Sequence, residues 1–464
     1  MKKRTLLILC LLLLSLPSLT LVGFAQTPPL VFIPGPRPVS PPLVFRPSYG
    51  SSGPGAQGIQ GIQGIPGTQG IPGSQGVPGP AGTSAAGIAG IISSLPGLGL
   101  TVAKGDGTTD DTAALQSQID YASAHNLDCL LAPGTYKVGP LHLARPGIAT
   151  STGVVLRALT GGISSQGIAG QGVTLIPRDA NQEALLIIDG ASTYGMQIRG
   201  IALQGNATTK AGLKSRATNW SALTLYDVAI RDCGIAIYIS NPDGGNNGES
   251  LRAYNIQLGG YSNNTCCYKN DSLSGQAISH YFYGLSAGTQ NGGTVFDVGT
   301  GGANDACLMV FGLTGTSSNG PLANTLVHSR GAARVSIQGD RMEHVNRVAI
   351  LDTSFGKVIV EGITFPQNDG DTGGLSFLDV GSTNNFDSLV CRDCTFAGNN
   401  HPLVLGTAVG NSGTVALFDS CDFVNYTDIN TLLTPPSGSL RTKFRNSRVA
   451  NTGAGNFYTD ITDR

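Results

Sequence analysis

From residue 196 onward the chain repeats one pattern of positions: apolar-x-apolar-x-bend-apolar-x-apolar. It reads MQIRGIAL at 196–203, LTLYDVAI at 223–230, LRAYNIQL at 251–258, HYFYGLSA at 280–287 and LMVFGLTG at 308–315. It continues as VSIQGDRM at 335–342, VIVEGITF at 358–365, LVCRDCTF at 389–396, ALFDSCDF at 416–423 and TKFRNSRV at 442–449. The bend positions are Gly200, Asp227, Asn255, Gly284, Gly312, Gly339, Gly362, Asp393, Ser420 and Asn446. All but Ser420 are Gly, Asp or Asn, the residues that enter the left-handed αL region most cheaply. The bends recur about every 27 residues. Two short strands meeting at an αL corner at a near-constant period predict the coils of a parallel β-helix, stacked about 4.8 Å apart. A sandwich of antiparallel hairpins would not give one bend column.

Stacked coils place equivalent side chains over one another. Phe365, Phe396 and Phe423 should share one inward column, and Ile363, Cys394 and Cys421 another. This makes Cys391-x-x-Cys394 a piece of core rather than a redox or zinc motif, since no second ligand pair accompanies it. A cross-coil disulfide between Cys394 and Cys421 stays open. Eight cysteines lie beyond the N-terminal apolar run.

The segment before the repeats has another texture. In residues 101–143, Asp110 and Asp111 stand where a helix would begin, favoured by its positive end. Leu115, Ile119 and Ala122 then form one apolar helical face. A short apolar strand follows Asn126, then a Pro133-Gly134 turn and an alternating strand beginning at Tyr136. The open end of a β-helix needs a cover, and the 110–125 helix is placed to supply it.

Composition changes the picture at the N-terminus. Glycine supplies 66 of 464 residues, roughly twice the usual share. Ten of these glycines occupy every third position from Gly55 to Gly82, the signature of a collagen-like triple helix, in which only glycine fits at the axis. Residues 55–84 therefore predict a trimeric stalk of roughly 90 Å at about 3.1 Å per residue. Residues 26–54 are proline-rich and read as a linker. Residues 1–25, with Lys2, Lys3 and Arg4, the run Leu6 to Leu14 and the small residues before Gln26, read as a secretory signal peptide. A glycine- and alanine-rich joint at 85–100 leads to the β-helix domain of 101–464. Losing three basic residues with the signal leaves 25 positive against 29 negative side chains. No basic stripe exists to neutralise phosphates, which argues against a nucleic-acid partner. No later stretch is long and apolar enough to span a bilayer.

The segment GDGTTDDTAALQSQID (105–120), followed by LLAPGTYKVGPLHL (130–143), resembles the opening of the pectate lyase superfamily domain. Similar openings occur in secreted polysaccharide-degrading β-helix proteins and bacteriophage tailspikes. The resemblance covers about forty residues. It implies an all-β, right-handed parallel β-helix and a carbohydrate-related role. It carries over no catalytic residue, because the Asn-Thr-Asp, Asp-Asp, Gly-His-Gly and Arg-Ile-Lys signatures of polygalacturonase-like relatives are not found on the coils.

Candidate chemistry comes from outward positions. The residue before each bend gives a column whose members include Tyr226, Tyr254, Tyr283 and Phe311. Four successive aromatics suit stacking on sugar rings, although loops or a neighbouring subunit could cover them instead. Glu361, Arg392, Asp419 and Arg445 follow in the same column and read as a surface ion ladder. The densest ionisable cluster is Asp340, Arg341, Glu343 and His344, with Arg347 nearby. Glycoside hydrolysis needs two carboxylates, and lyase chemistry a base beside a positive group. Asp340 and Glu343 with Arg341 or His344 could supply either set. Asp340 falls on an inward column between Leu313 and Ile363, which a local register slip would explain. The loop Asn368-Asp369-Gly370-Asp371 offers oxygens for calcium but reads better as a solvated turn. No cofactor is expected. The expectation is an exported homotrimeric fibre whose β-helix head binds, and as lyase or glycosidase cleaves, an extracellular polysaccharide. The alternative is a structural or adhesive surface protein without turnover.

Overall fold

The chain divides into two compact units, Met1–Pro78 and Gly79–Arg464. The computed structural model describes residues 90–92, 100–144, 153–159, 172–189, 193–216, 219–240, 247–260, 264–271, 279–299, 307–317, 324–330, 333–345, 347–351, 357–366, 375–380, 388–397, 403–405, 415–424, 441–451 and 457–461. All belong to the second unit. The predicted signal peptide, proline-rich linker, collagen-like repeat and calcium loop lie outside the described residues.

The second unit is a parallel β-solenoid of right-handed type. Each turn supplies a strand before the bend, a strand after it, and a third strand that returns the chain. One turn is Asn219–Tyr226, Ala229–Arg231 and Ile235–Ile239. The strands flanking the bends join a 24-stranded sheet, and the third strands form a 10-stranded sheet from Leu141–Ala144 to Leu403–Leu405. Among the described strands every pairing is parallel except the last, where Ser447–Asn451 pairs antiparallel with Phe457–Ile461.

The αL corners make these turns. Nine of the ten predicted bends have positive φ, from 49° at Asp393 to 72° at Gly312. The exception is Gly339, where the ladder slips: Leu313 pairs with Gly339 but Thr314 pairs with Arg341. A side chain at Gly339 would strike the Leu313 carbonyl oxygen at 2.5 Å. The glycine takes the crowded inward place, and Asp340 is pushed out to solvent. This is the slip that an Asp on an inward column required.

Between the sheets, inward side chains stack on themselves. Ala253, Phe282, Val310, Ile337 and Val360 pair in succession and are all buried. Phe365, Phe396 and Phe423 form the predicted column, with successive ring centroids 5.3 and 5.2 Å apart. Ile363, Cys394 and Cys421 share a column through the backbone bonds that Thr395 and Asp422 donate to the preceding turn, and all three are buried. Every described cysteine is a free thiol.

The repeat also extends further toward the N-terminus than its pattern shows. Gln197–Arg199 rests on Val155–Ala158, which rests on Asp128–Leu131, which pairs with Gly90–Ile92 inside the predicted joint. The Val155–Ala158 turn escapes the pattern because residues 160–171 intervene before its second strand, Val173–Pro177. The helix runs Thr112–His125, and its Leu115, Ile119 and Ala122 enter the main core cluster. Its opening acids act locally. Asp111 receives the Lys104 and Gly105 N–H groups, and Asp106 those of Thr108 and Thr109. Asp110 receives the Thr112 N–H and pairs with Arg178.

Candidate functional site

Two outward faces gather chemistry. The first is the predicted pre-bend column on the 24-stranded sheet. Arg199, Tyr226, Tyr254, Tyr283, Phe311 and Gln338 pair in that order. Ring centroids follow at 4.9, 5.0 and 5.2 Å with planes within 12° of parallel. Parallel rings this close cannot lie side by side without their edges colliding, so they are offset-stacked and cover part of each other's faces. The Arg199 guanidinium lies 4.4 Å from the Tyr226 centroid and covers the first ring. The column thus differs from the flat sugar platform expected. It presents ring edges, with Tyr283 39 % and Phe311 37 % exposed. Edges and phenol groups still offer apolar area and hydrogen bonds to a sugar, but in a narrow strip.

The Asp340 cluster sits further along this sheet. Arg341 and Glu343 are joined at 2.6 Å, and the Thr316 hydroxyl donates to the other Glu343 oxygen at 2.5 Å. The Thr316 hydrogen bond, helped by Arg341, holds the Glu343 carboxyl below its usual range. Glu343 is therefore ionised and occupied at both oxygens, which suits a binding acceptor better than a proton donor. His344 is in the left-handed region at φ 55°, and its carbonyl accepts from the Asn324 amide. Asp340 is exposed, three residues along the strand from Arg341's partner Glu343, with buried Met342 between.

The second face lies on the 10-stranded sheet and was not anticipated. Its central strands share one register of partly exposed positions near their C-terminal ends. These positions pair in order as Lys214, Tyr238, Lys269, Asp297 and His328. At the strand ends, Asp271 and Arg330 join them. Lys269 lies 3.0 Å from Asp271 Oδ2 and 3.9 Å from Asp297 Oδ2. Arg330 reaches Asp271 Oδ1 at 2.5 Å through Nη2 and Asp297 Oδ1 at 2.6 Å through Nε. Its reach to Asp271 crosses the place of Gly299, which carries no side chain. The Tyr238 hydroxyl donates to Asp271 Oδ2 at 2.9 Å, and His328 lies 3.8 Å from Asp297.

The two carboxyls sit in unlike environments. Burial pushes the Asp297 carboxyl above its ordinary value even with Arg330 beside it. Burial also opposes ionisation of Asp271, but hydrogen bonds from Lys269, Tyr238 and Arg330 outweigh it and hold that carboxyl below. Both side chains keep some exposure, 19 % for Asp271 and 14 % for Asp297. Environments that push two neighbouring acids apart in proton affinity are what general acid–base catalysis uses. Steps of 24, 31, 28 and 31 residues between the outward positions hide this column, because loops of unequal length intervene. The signal was present as Lys-Asn-Asp at 269–271, Asp297 and His-Ser-Arg at 328–330, visible only once the third strands are aligned.

Among the described residues no group of three or more His, Cys, Asp or Glu could hold a metal ion, and no helix is long and apolar enough to cross a membrane. No protein-family profile matches the chain, and no curated protein matches it. Several solved structures resemble it in shape. Geobacillus virus E2 ORF18 has 14 % identity over 75 % of this chain and 59 % of its own length, with a TM-score of 0.36. The Dettilon tailspike protein has 12 % identity over 73 % and 66 %, with a TM-score of 0.34. The A-module of an Azotobacter vinelandii mannuronan C-5 epimerase has 14 % identity over 75 % and 96 %, with a TM-score of 0.34. The chain thus spans less than two thirds of the first two. Likeness at this level assigns no activity.

Proposed function

We propose that the solenoid head binds an extended polysaccharide and hydrolyses it at Asp271 and Asp297. The observation that carries this reading is the pairing of two partly exposed carboxylates from adjacent turns whose surroundings drive their proton affinities apart. Both contact Lys269, so their Oδ2 atoms lie at most about 7 Å apart, below the upper limit of roughly 9.5 Å for glycosidase carboxyl pairs. Asp297 is the proton donor to the glycosidic oxygen: its Oδ1 is held by Arg330, leaving Oδ2 the less engaged atom. Asp271, kept ionised, is the base or nucleophile on the opposite side of the scissile bond. Lys269, Arg330 and Tyr238 fix both carboxyls and offer donors to sugar hydroxyls. The helix at 112–125 covers the first turns of the head. The collagen-like repeat at 55–84 makes the exported protein a homotrimeric fibre, and a monomeric mass for the mature full-length protein in solution would overturn that part.

The rival reading is a binding or adhesive head without turnover. It draws on the same cluster, since both carboxylates are already paired with cations, as in a structural clamp. The full-length protein incubated with a polysaccharide panel decides between them. Hydrolysis yields new reducing ends, and Asp297→Asn and Asp271→Asn each lower their rate by about 10²–10⁴-fold while the fold is retained. Glycan binding with no new reducing ends on any substrate sinks the hydrolase.

A further inference from the structure

On the 24-stranded sheet, just past the αL corners, lies an open groove of about 700 Å³. It is made by missing side chains. Arg231, Gly259, Gly288, Thr316 and Glu343 follow one another across five turns, and alongside them Gln257, Ser286, Thr314 and Arg341 do the same. At each end stands a charged group already locked to a neighbour: Arg231 donates to Gln257, and Arg341 pairs with Glu343. Between them the floor is glycine and the wall is hydroxyl. The floor cannot be filled, because a side chain at Gly288 would run into the Thr316 carbonyl and one at Gly315 into that of Ala287. From Gln257 to Arg341 is three turn spacings, about 14 Å.

We propose that this groove is a second glycan-binding site, taking a neutral polyhydroxylated chain laid along the rod, on a face other than that of the Asp271–Asp297 pair. The chemistry excludes the other candidates. Charges of both signs line it, so a polyanion gains nothing along its length. The walls are too polar for a lipid chain or the apolar face of a helix. An extended peptide would find no backbone partners, because the strands beneath are paired on both sides by neighbouring turns. A sugar chain fits what remains: fixed donors and acceptors at the ends, small hydroxyl side chains between them, and an uncrowded floor on which pyranose rings can lie. The site rests on the reading of the head as polysaccharide-binding but not on cleavage.

The test uses full-length Asp271→Asn protein, so that no substrate is consumed, titrated calorimetrically with neutral oligosaccharides of dextran, pullulan, β-glucan and galactan. Thr314 is exposed, so Thr314→Trp fills the groove without touching the core. It should lower affinity at least tenfold or remove one binding event per chain, and Arg341→Ala should weaken the same event. Both variants should keep the parent's thermal transition within a few degrees. Failure of the hydrolase reading shows as no reducing ends released by the wild-type protein from the polysaccharide panel while this binding event stays intact. Binding unchanged in both variants, no binding by any oligosaccharide of the panel, or variant-sensitive binding of an extended peptide instead would each overturn the groove.

Discussion

His280 is fully buried inside the solenoid, where its Nδ1 meets the Tyr268 hydroxyl at 2.5 Å and its Nε2 meets the Gly248 carbonyl at 2.6 Å. Burial depresses its pKa from 6.5 to about 4. Above pH 6.5 the imidazole is neutral in folded and unfolded chains alike, and the ring adds no pH dependence. As pH falls from 6.5 toward 4, the unfolded chain takes up a proton that the folded chain refuses, so stability is lost across that window. Once pH is below 4 both states carry the proton and the loss stops growing, at about 3 kcal/mol. A series of urea midpoints from pH 7.5 to 4 should therefore fall for the wild-type protein and fall less for His280→Gln; equal slopes would remove His280 as the cause. The residue scale is also where sequence reading was least complete. The acids of Gly-Asp-Gly-Thr-Thr-Asp-Asp at 105–111 could be placed near a helix start. That Asp111 turns back to Lys104 and Gly105, rather than capping the helix, depends on a loop conformation that no spacing rule encodes.

At the scale of the element, the αL corner is the unit from which the fold was readable. A bend column needs residues that tolerate positive φ, and that preference is written in residue type. Gly284 has φ +67°, yet a side chain there would find its nearest neighbour at 3.8 Å. Gly284→Ala should therefore cost only the αL penalty, about 1–2 kcal/mol. Asp227 holds the same conformation at φ 51° and accepts the Asn255 side-chain amide at 2.6 Å, tying adjacent corners together. Asp227→Ala should add to a similar strain the loss of that bond, about 1 kcal/mol. Gly339→Ala should cost more than Gly284→Ala although Gly339 has no positive φ, because its methyl group meets a carbonyl of the preceding turn. Urea midpoints at constant m-value check the order; a milder effect at Gly339 than at Gly284 would contradict the slipped ladder. The same logic explains what stayed hidden. The bends from Gly200 to Gly312 step by 27, 28, 29 and 28 residues, so the order of the aromatic column could be read from sequence alone. The third strands hang on loops of unequal length, so Asp271, Asp297 and Arg330 share a face that only the three-dimensional register discloses.

For the solenoid as a whole, each turn touches chiefly the turns above and below it, which makes stability a sum of local terms rather than a property of one centre. Phe396 tests this. Its side chain is 1 % exposed and packed between Phe365 and Phe423, with Phe418 edge-on at 6.0 Å. The backbone at this depth is held by parallel ladders to the turns on either side, so the cavity left by Phe396→Ala cannot collapse freely. The loss should be about 3–5 kcal/mol at that site. In a nearest-neighbour rod this energy is taken from the turns that border the cavity. Amide hydrogen exchange should quicken in Lys357–Glu361, Ser388–Arg392 and Val415–Asp419. Ala211–Ser215 and Ile235–Ile239, many turns away, should exchange as in the wild type. A uniform fall in protection from one end to the other would mean that the rod unfolds as a single cooperative unit. A head that opens turn by turn can keep both glycan-facing columns, which lie between residues 226 and 343, in register while its distal end frays. The Phe396 column lies beyond that stretch, so Phe396→Ala should leave oligosaccharide affinity unchanged even as the distal turns lose protection.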